Sequence, residues 1–371
     1  MNTKSQVKNT RELRSFNRKQ IISLMRTGES MAKSDIAKLM DLSFATTSSI
    51  CNELIEEGIF TQSKKSSPSG GRPSELLELY ALSKVSFCID FTYKQEVRMS
   101  LGDLQNKLIA EQRQSISSND TLEKIMGNCL GGYAELLESA SVSEQQVIGI
   151  CVIVPGMLDQ QKGRVINSTL RILNNMHLES LIRMTMNNTS LPIYIENDAN
   201  LAALAIATQG GLKKYSQALL LYIGEGIGLG IIQAGGIFRG ERGYAGEIAH
   251  IPLGNPDILC YCGNKGCIEN DLSNSGIQRE MKQSANAPIT LGTTLGKLIS
   301  VLGNLLDPEI IFIGGDQEDV LMSMLAHARE EAVRRIILEG SRNIQIQLAP
   351  NIHDLFFEGA SELIIQKWLS N

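Results

Sequence analysis

The chain of 371 residues lacks any run of about 18–20 uninterrupted apolar residues, the length a membrane-spanning helix needs, and no segment is expected to enter a bilayer. Its opening stretch, MNTKSQVKNTRELRSFNRKQ, is polar and basic with no apolar h-region, so no secretion signal is read there and the expected compartment is the cytoplasm. Cysteine is sparse: seven residues, an odd number, scattered except for a late trio, which argues against a disulfide framework. Short-period repeats are absent too, although a duplicated α/β lobe would escape inspection of this kind. Core-forming residues are not lacking. Hydrophobic residues make up 43 % of the chain and charged ones 20 %, which excludes global disorder and allows two or three compact units.

The net charge of −5 hides an asymmetry. Residues 1–80 hold 12 Lys/Arg against 9 Asp/Glu, whereas the remainder holds 23 against 31. A basic head on an acidic body fits a nucleic-acid-binding module joined to a small-molecule domain, but a difference this small decides nothing alone.

The head reads as three short helices and a hairpin. Asn17 is expected to cap a helix through Ile21, Ile22, Leu24 and Met25 that stops at Gly28. Ser34 is expected to cap a second, and Ser43 a third, which buries Thr47, Ile50, Cys51 and Leu54 and ends at Gly58. IFTQSKK and ELLELY form the hairpin around SSPSGGRPS, which is also the best sequence candidate for a domain boundary. From about Val85 the texture becomes α/β. VSFCID, VIGICVIV, LPIYIEND, ALLLYIGEGIGLGIIQ and EIIFIGG are the expected strands, separated by amphipathic stretches.

Three helices with a tight turn before the last, followed by a hairpin, predict a winged helix-turn-helix. A recognition helix needs an apolar back and a small polar front that can approach base edges. Thr46, Ser48, Ser49 and Asn52 supply that front, and Arg72 in GGRP would enter a minor groove or clamp a phosphate. The third helix carries no Lys or Arg, so phosphate contacts would fall to Lys33, Lys38, Lys64, Lys65 and the N-terminal arm. The alternative is a protein-interaction module in which GGRP is only a turn.

The strongest local signal is GEIAHIPLGNPDILCYCGNKGCIE. His250, Cys260, Cys262 and Cys267 offer one imidazole and three thiols within 18 residues, a closed Cys₃His set that suits structural Zn²⁺. Gly263 and Gly266 would let the loop turn tightly enough for the sulfurs to converge. The alternative is three unrelated thiols near a core histidine. A redox pair is disfavoured because C-x-C lacks the two-residue spacing of thioredoxin-like sites.

These motifs in their order resemble the ROK family of repressors, open reading frames and kinases. The resemblance spans essentially the whole chain: the head with GGRP, then PGMLD (155–159), ENDAN (196–200), GEGIGLG (224–230), GEIAH (246–250), CYCGNKGCIE (260–269) and DPEIIFIGG (307–315). It implies an N-terminal winged helix-turn-helix, residues 1–82, followed by a two-lobed actin-like (ribonuclease-H-like) α/β domain, residues 83–371. Lobe 1 would comprise about 83–197 plus the C-terminal helix from about 356 to 371, and lobe 2 about 198–355. By the same resemblance, Asp198 matches the aspartate that takes the proton from the attacking hydroxyl in the family's sugar kinases. Asn197, Glu247, His250 and Glu269 match residues that hydrogen-bond sugar hydroxyls, work suited to carboxylates and amides that accept vicinal pairs. For Asn197-Asp198 the alternative is a helix N-cap, and for Glu247 and Glu269 a solvated charge.

Kinases of this fold carry an early D-x-G-G-T turn whose glycines let backbone N–H groups approach ATP phosphates. Here that turn reads Asp90-Phe91-Thr92-Tyr93-Lys94, with both glycines gone. The second phosphate turn, Gly224-Glu225-Gly226, brings a carboxylate. Like charges about 4 Å apart cost about 1–4 kcal/mol even with partial screening. The expectation is therefore a non-enzymatic, sugar-responsive regulator, most simply a repressor. It would bind an inverted-repeat operator as a homodimer or dimer of dimers, take a monosaccharide or derivative as effector, and hold one structural zinc per chain. The alternative is a sugar kinase with an appended DNA-binding head. The segment NSTLRILNNMHLESL (167–181) departs from the family's proline- and tryptophan-containing turn, and neither Asn174 nor Asn175 is assigned a contact.

Overall fold

The computed structural model describes residues 10–65, 74–187, 189–208 and 215–370. At the N-terminal end, helices α1 (Thr10–Met25), α2 (Lys33–Leu39) and α3 (Phe44–Glu56) pack with a small antiparallel sheet. Its strands are β1 (Met31–Ala32), β2 (Phe60–Lys65) and β3 (Ser74–Leu79), in the order β1-β3-β2. Ser43 caps α3 as expected, its side chain accepting from the Thr46 N–H, and Thr47, Ile50, Cys51 and Leu54 are buried. The other two expected caps are not used. Helix α1 runs straight through Asn17, because Arg14 pairs with Glu53 and Arg18 with Glu57, anchoring its earlier turns on α3. Helix α2 begins at Lys33 with no side-chain cap, since the pairing of Met31 and Ala32 with Leu77 and Leu76 decides where strand gives way to helix.

SSPSGGRPS is not a domain boundary. The strands on either side pair in unbroken register from Phe60↔Leu79 to Lys65↔Ser74, so the segment joins two strands of one sheet. Residues 66–73, Arg72 among them, lie outside the described residues.

The body carries two five-stranded sheets. The first contains β4 (Val85–Asp90), β5 (Glu96–Asp103) and β6 (Leu108–Ser115), covered by α4 (Leu122–Gly131) and α5 (Tyr133–Ser139), then β7 (Val147–Val154). A hairpin of β8 (Gly156–Asp159) and β9 (Arg164–Ser168) and helix α6 (Leu178–Thr185) lead to β10 (Ile193–Asn197). After α7 (Asp198–Ala207) come β11 (Gln217–Ile223), β12 (Ile227–Gln233) and β13 (Gly236–Ile237), then α8 (Glu269–Leu272), α9 (Asn274–Gln283) and α10 (Ala287–Leu306). β14 (Ile310–Gly315), α11 (Glu318–Arg335), α12 (Glu339–Arg342), β15 (Gln345–Leu348) and α13 (Ile352–Ser370) complete the chain. The sheets share one topology, β6-β5-β4-β7-β10 and β13-β12-β11-β14-β15. In each, the first three strands are antiparallel and the last two join in parallel. The two halves are a duplicated unit with no matching sequence repeat. The single glycine-rich run expected over ALLLYIGEGIGLGIIQ is a hairpin, folded at Gly224-Glu225-Gly226 and registered Ile223↔Ile227.

Two helices fill the space between the sheets. DANLAALAIA is apolar all round, the mark of a helix buried on every side, and α7 is buried almost throughout. Leu201, Leu204, Phe356 and Ile364 form one apolar layer with Cys88, Cys151 and Ile153 from the first sheet and Leu220, Ile232 and Phe312 from the second. Gly359 permits the crossing of α13 over α7, since a Cβ there would lie 1.9 Å from the Leu201 carbonyl oxygen. Helix α10 runs 20 residues and by length and composition is apolar enough to cross a membrane, although threonines and Lys297 interrupt its apolar run. Half of its most apolar window is buried, packed with α11 and the second sheet as a core helix would be.

Helix α13 also reaches the head. Ile365, with Leu104 from the turn after β5, joins Ile21, Ile22, Met25, Ile50 and Leu54 in one core. Beside it, Arg26, in the turn after α1, bonds Glu362 of α13 at 2.5 Å and donates to the Leu104 carbonyl at 2.6 Å, with both charged side chains almost fully buried.

Candidate ligand cleft and metal centre

Between the lobes lies a cavity of about 410 Å³, lined from both sheets and the loops at their ends. Its floor is the β10–α7 junction, where a parallel strand empties into a helix start, the place at which α/β folds present binding groups. Asn197 is the N-cap of α7: its Oδ1 accepts from the Asn200 N–H at 3.1 Å and its Nδ2 donates to the Gly156 carbonyl at 3.0 Å. The N-cap role weighed from the sequence is therefore real, and the residue lines the cleft as well. Asp198 is 5 % exposed and accepts from the Ala199 N–H at 2.9 Å. Burial pushes its pKa up to about 7, the backbone hydrogen bond opposes this, and the nearby Asp90 and Asp316 carboxylates add to it.

The opposite wall carries Glu247, His250 and Glu269. Glu247 stands in the concavity, reachable by solvent yet ringed by protein, and lost hydration raises its pKa, with His250 opposing and Glu269 adding. The Oε2 atom of Glu269 is buried with no hydrogen bond, His250 Nδ1 lying 3.9 Å away, although the residue lines the cleft. An unsatisfied buried carboxylate oxygen is costly, and a ligand hydroxyl would remove that cost.

His250 faces two ways. Its Nδ1 lies 3.6 Å from Cys260 Sγ and its Nε2 3.3 Å from the Tyr261 hydroxyl. Ligand atoms of His250, Cys260, Cys262 and Cys267 all lie within 4.8 Å of one another, and Cys262 and Cys267 sulfurs are 3.6 Å apart. Zn–S bonds of about 2.3 Å at tetrahedral angles place sulfurs about 3.8 Å apart, so the donor set fits a closed zinc site. The loop reaches this shape through Gly263, at φ +90°, which follows the Cys260 turn and would strain any side chain.

The other end of the cleft is lined by the turns after β4 and β11 and by residues next to β14 and at the start of α13. Lys94, in the turn after β4, reaches across to Glu225, in the turn after β11, at 2.9 Å. Asp316, at the end of β14, accepts from the Tyr222 hydroxyl at 3.0 Å and from Asn274 Nδ2 at 2.7 Å, and His353 of α13 lies 3.5 Å away. Burial raises the Asp316 pKa, but these hydrogen bonds outweigh it and hold the carboxyl below its usual range. The same contact with Asp316 raises the pKa of His353, against burial. Phe91, one of the residues that replace the small turn of kinases, does not line the cleft. It is buried in the first lobe's core, and Thr92, Tyr93 and Lys94 take its place. The chain leaves β4 at Asp90, whose Oδ1 accepts from the Thr92 N–H at 2.8 Å and turns the following residues toward the cleft.

Some site residues carry no sequence signal. Asn167 and Thr169 reach the cleft from the β8–β9 hairpin, and Tyr261 reaches it from between two cysteines. Glu196 is buried and pairs with Arg239 across the lobes, a contact that only the fold creates. Asn174 is spent locally, its Oδ1 accepting from the Ser168 N–H at 2.7 Å.

In the head, Thr46, Ser48, Ser49 and Asn52 all lie on the part of α3 that is not buried in the core. The cations missing from α3 come from its neighbours: Arg14 donates to Ser49 at 2.9 Å and Lys33 to Asn52 at 2.6 Å.

Two like-folded lobes around a cleft, with a polar β10–α7 floor, define the two-lobed class to which sugar kinases of this fold belong. Residues 88–290 match the ROK family, more than half of the chain, and the protein belongs to that family. The xylose repressor of Caldicellulosiruptor bescii is 24 % identical over 96 % of this chain and 97 % of its own. The crystal structure of a ROK family transcriptional regulator, described as a homologue of the Escherichia coli MLC protein, superposes with a TM-score of 0.76 at 20 % identity, covering 97 % of this chain and 100 % of its own. A ROK glucokinase from Streptomyces griseus, solved with glucose and AMPPNP, gives a TM-score of 0.63 at 21 % identity, over 75 % of this chain and 98 % of its own.

Proposed function

We propose that this chain is a sugar-responsive bacterial transcriptional repressor in the cytoplasm, without ATP-dependent kinase activity. The observation that carries the reading is one of extent. The repressor and the regulator structure pair with this chain from head to tail, whereas the glucokinase is used up after 75 % of it. A head of the size and element order of a winged helix-turn-helix, residues 1–82, would account for most of the quarter that the kinase leaves unmatched. In this reading residues 1–82 are the DNA-binding domain and 83–371 the ROK domain, with lobe 1 about 83–197 plus 356–371 and lobe 2 about 198–355. Thr46, Ser48, Ser49, Asn52 and Arg72 contact operator DNA, and a homodimer or dimer of dimers reads an inverted repeat.

The effector is a monosaccharide or close derivative, held by Asn197, Asp198, Glu247, His250 and Glu269. Binding without turnover is supported by the Lys94–Glu225 pair, which joins the two turns between which a kinase must admit phosphate. A structural zinc ion on His250, Cys260, Cys262 and Cys267 would keep Glu247 and Glu269 on one rigid loop. Helix α13 offers the route to the head, since it starts at the cleft with His353 and carries Glu362 and Ile365 into the head's core.

Gel-shift titrations on DNA upstream of the gene and its neighbours test the reading, with monosaccharides and their phosphates added to the complex. Retarded duplex is expected, with affinity changed about 5–150-fold by one sugar, and ADP release at background across hexoses. No retardation at low salt would refute the regulator, and sugar-dependent ADP release abolished by Asp198→Asn would restore the kinase.

A further inference from the structure

The front of α3 is polar by sequence but not free in the structure. The Ser43 and Thr46 hydroxyls lie 2.8 Å apart, Ser49 accepts from Arg14 and Asn52 accepts from Lys33. Much of the donor and acceptor capacity that would read base edges is already engaged inside the head. The leading end of the helix is instead apolar. Phe44, its first residue, is 59 % exposed, and Ala45 beside it is exposed too. By helical spacing Ala45, Ser49 and Asn52 share the face turned from the buried Thr47, Ile50 and Leu54, and Phe44 with Ser48 forms the adjoining row. Ser43 holds the ring at the helix tip by accepting from the Thr46 N–H at 3.1 Å.

The N-terminal end of a recognition helix enters the major groove first. There, thymine alone among the four bases presents a methyl group, and phenyl and alanyl side chains are the apolar partners that fit it. We propose that Phe44, with Ala45, reads thymine C5-methyl groups in the major groove, so that each half-site contains a thymine recognised by its methyl rather than by a hydrogen bond. This rests on the DNA-binding reading above and adds the base and the contact. Thr46, Ser48, Ser49 and Asn52, with Arg14 and Lys33 behind two of them, then fix register on the backbone and adjust to neighbouring bases.

Exchange of thymine for uracil isolates the contact, because it removes the methyl and leaves base pairing intact. The full-length protein would first select a duplex from a random-sequence library, and each thymine of that duplex would then be replaced singly by deoxyuridine. One position per half-site is expected to lose about fourfold in affinity, the worth of one buried methyl group. The double variant Phe44→Ser with Ala45→Ser should bind the thymine and uracil duplexes equally, with a melting temperature close to the wild type because both side chains are exposed. The inference is overturned if no single uracil weakens binding, or if the double variant still prefers thymine. Failure to select any duplex would instead remove the DNA-binding reading on which it rests.

Discussion

Replacing Asp198 by asparagine removes one titratable group from the cleft floor and keeps its shape, including an Oδ1 that can accept from the Ala199 N–H. Burial, with Asp90 and Asp316 nearby, places the folded-state pKa at about 7 against 3.8 for an unperturbed aspartate. The folded protein thus binds this proton more tightly than the unfolded chain. Stability contributed by the group is highest below about pH 3.8, falls as pH rises toward 7, and stays low above it. Three units correspond to about 4 kcal/mol, of which about 3 kcal/mol accrues between pH 5 and pH 8. With unfolding entropy of about 2.1 cal/mol/K per residue, that is about 4 °C for a chain of this length. Melting curves of wild type and Asp198→Asn at pH 5 and pH 8 should therefore diverge, with the variant gaining about 4 °C more at pH 8. An equal difference at both values, or a variant that loses stability at pH 8, would mean that Asp198 is ionised and paired, and the account of the cleft floor would be wrong.

Two further outcomes follow from the metal loop and the head–body contact. Purified protein should carry close to one zinc ion per chain by elemental analysis, and Cys262→Ser should lose it together with thermal stability; metal-free protein of unchanged stability would exclude a structural zinc. Arg26→Ala should cost about 3–5 kcal/mol, because it leaves Glu362 buried and unpaired, whereas the double change Arg26→Met with Glu362→Met should recover most of that loss in denaturant titrations.

Local chemistry made part of this protein legible from its residues alone. Val85–Asp90, Val147–Val154 and Ile310–Gly315 are short apolar runs between polar breaks, and each is a strand within one residue of the bounds its pattern implies. The cysteines and His250 lie within 18 residues, with glycines to turn the loop, so their convergence needs no distant contact. Ser43 is a cap because it sits next to the N–H groups it serves. Other features depend on what is near in space but far along the chain, and only the tertiary structure decides them. Asn17 could begin a helix, but the Arg14 and Arg18 ion pairs with α3 carry the helix past it. Lys94 and Glu225 each read as a lesion in a phosphate turn, and only the closure of two lobes makes them partners. Phe91 turns to the core and Tyr93 to the cleft beyond the end of β4, in a turn that Asp90 holds by accepting from the Thr92 N–H. The duplicated sheets share topology without shared sequence, since many apolar patterns satisfy one arrangement of strands. Helix α13 could be anticipated as a C-terminal helix. That it links the cleft to the head follows from Gly359, His353 and Glu362, each of which meets a partner more than thirty residues away.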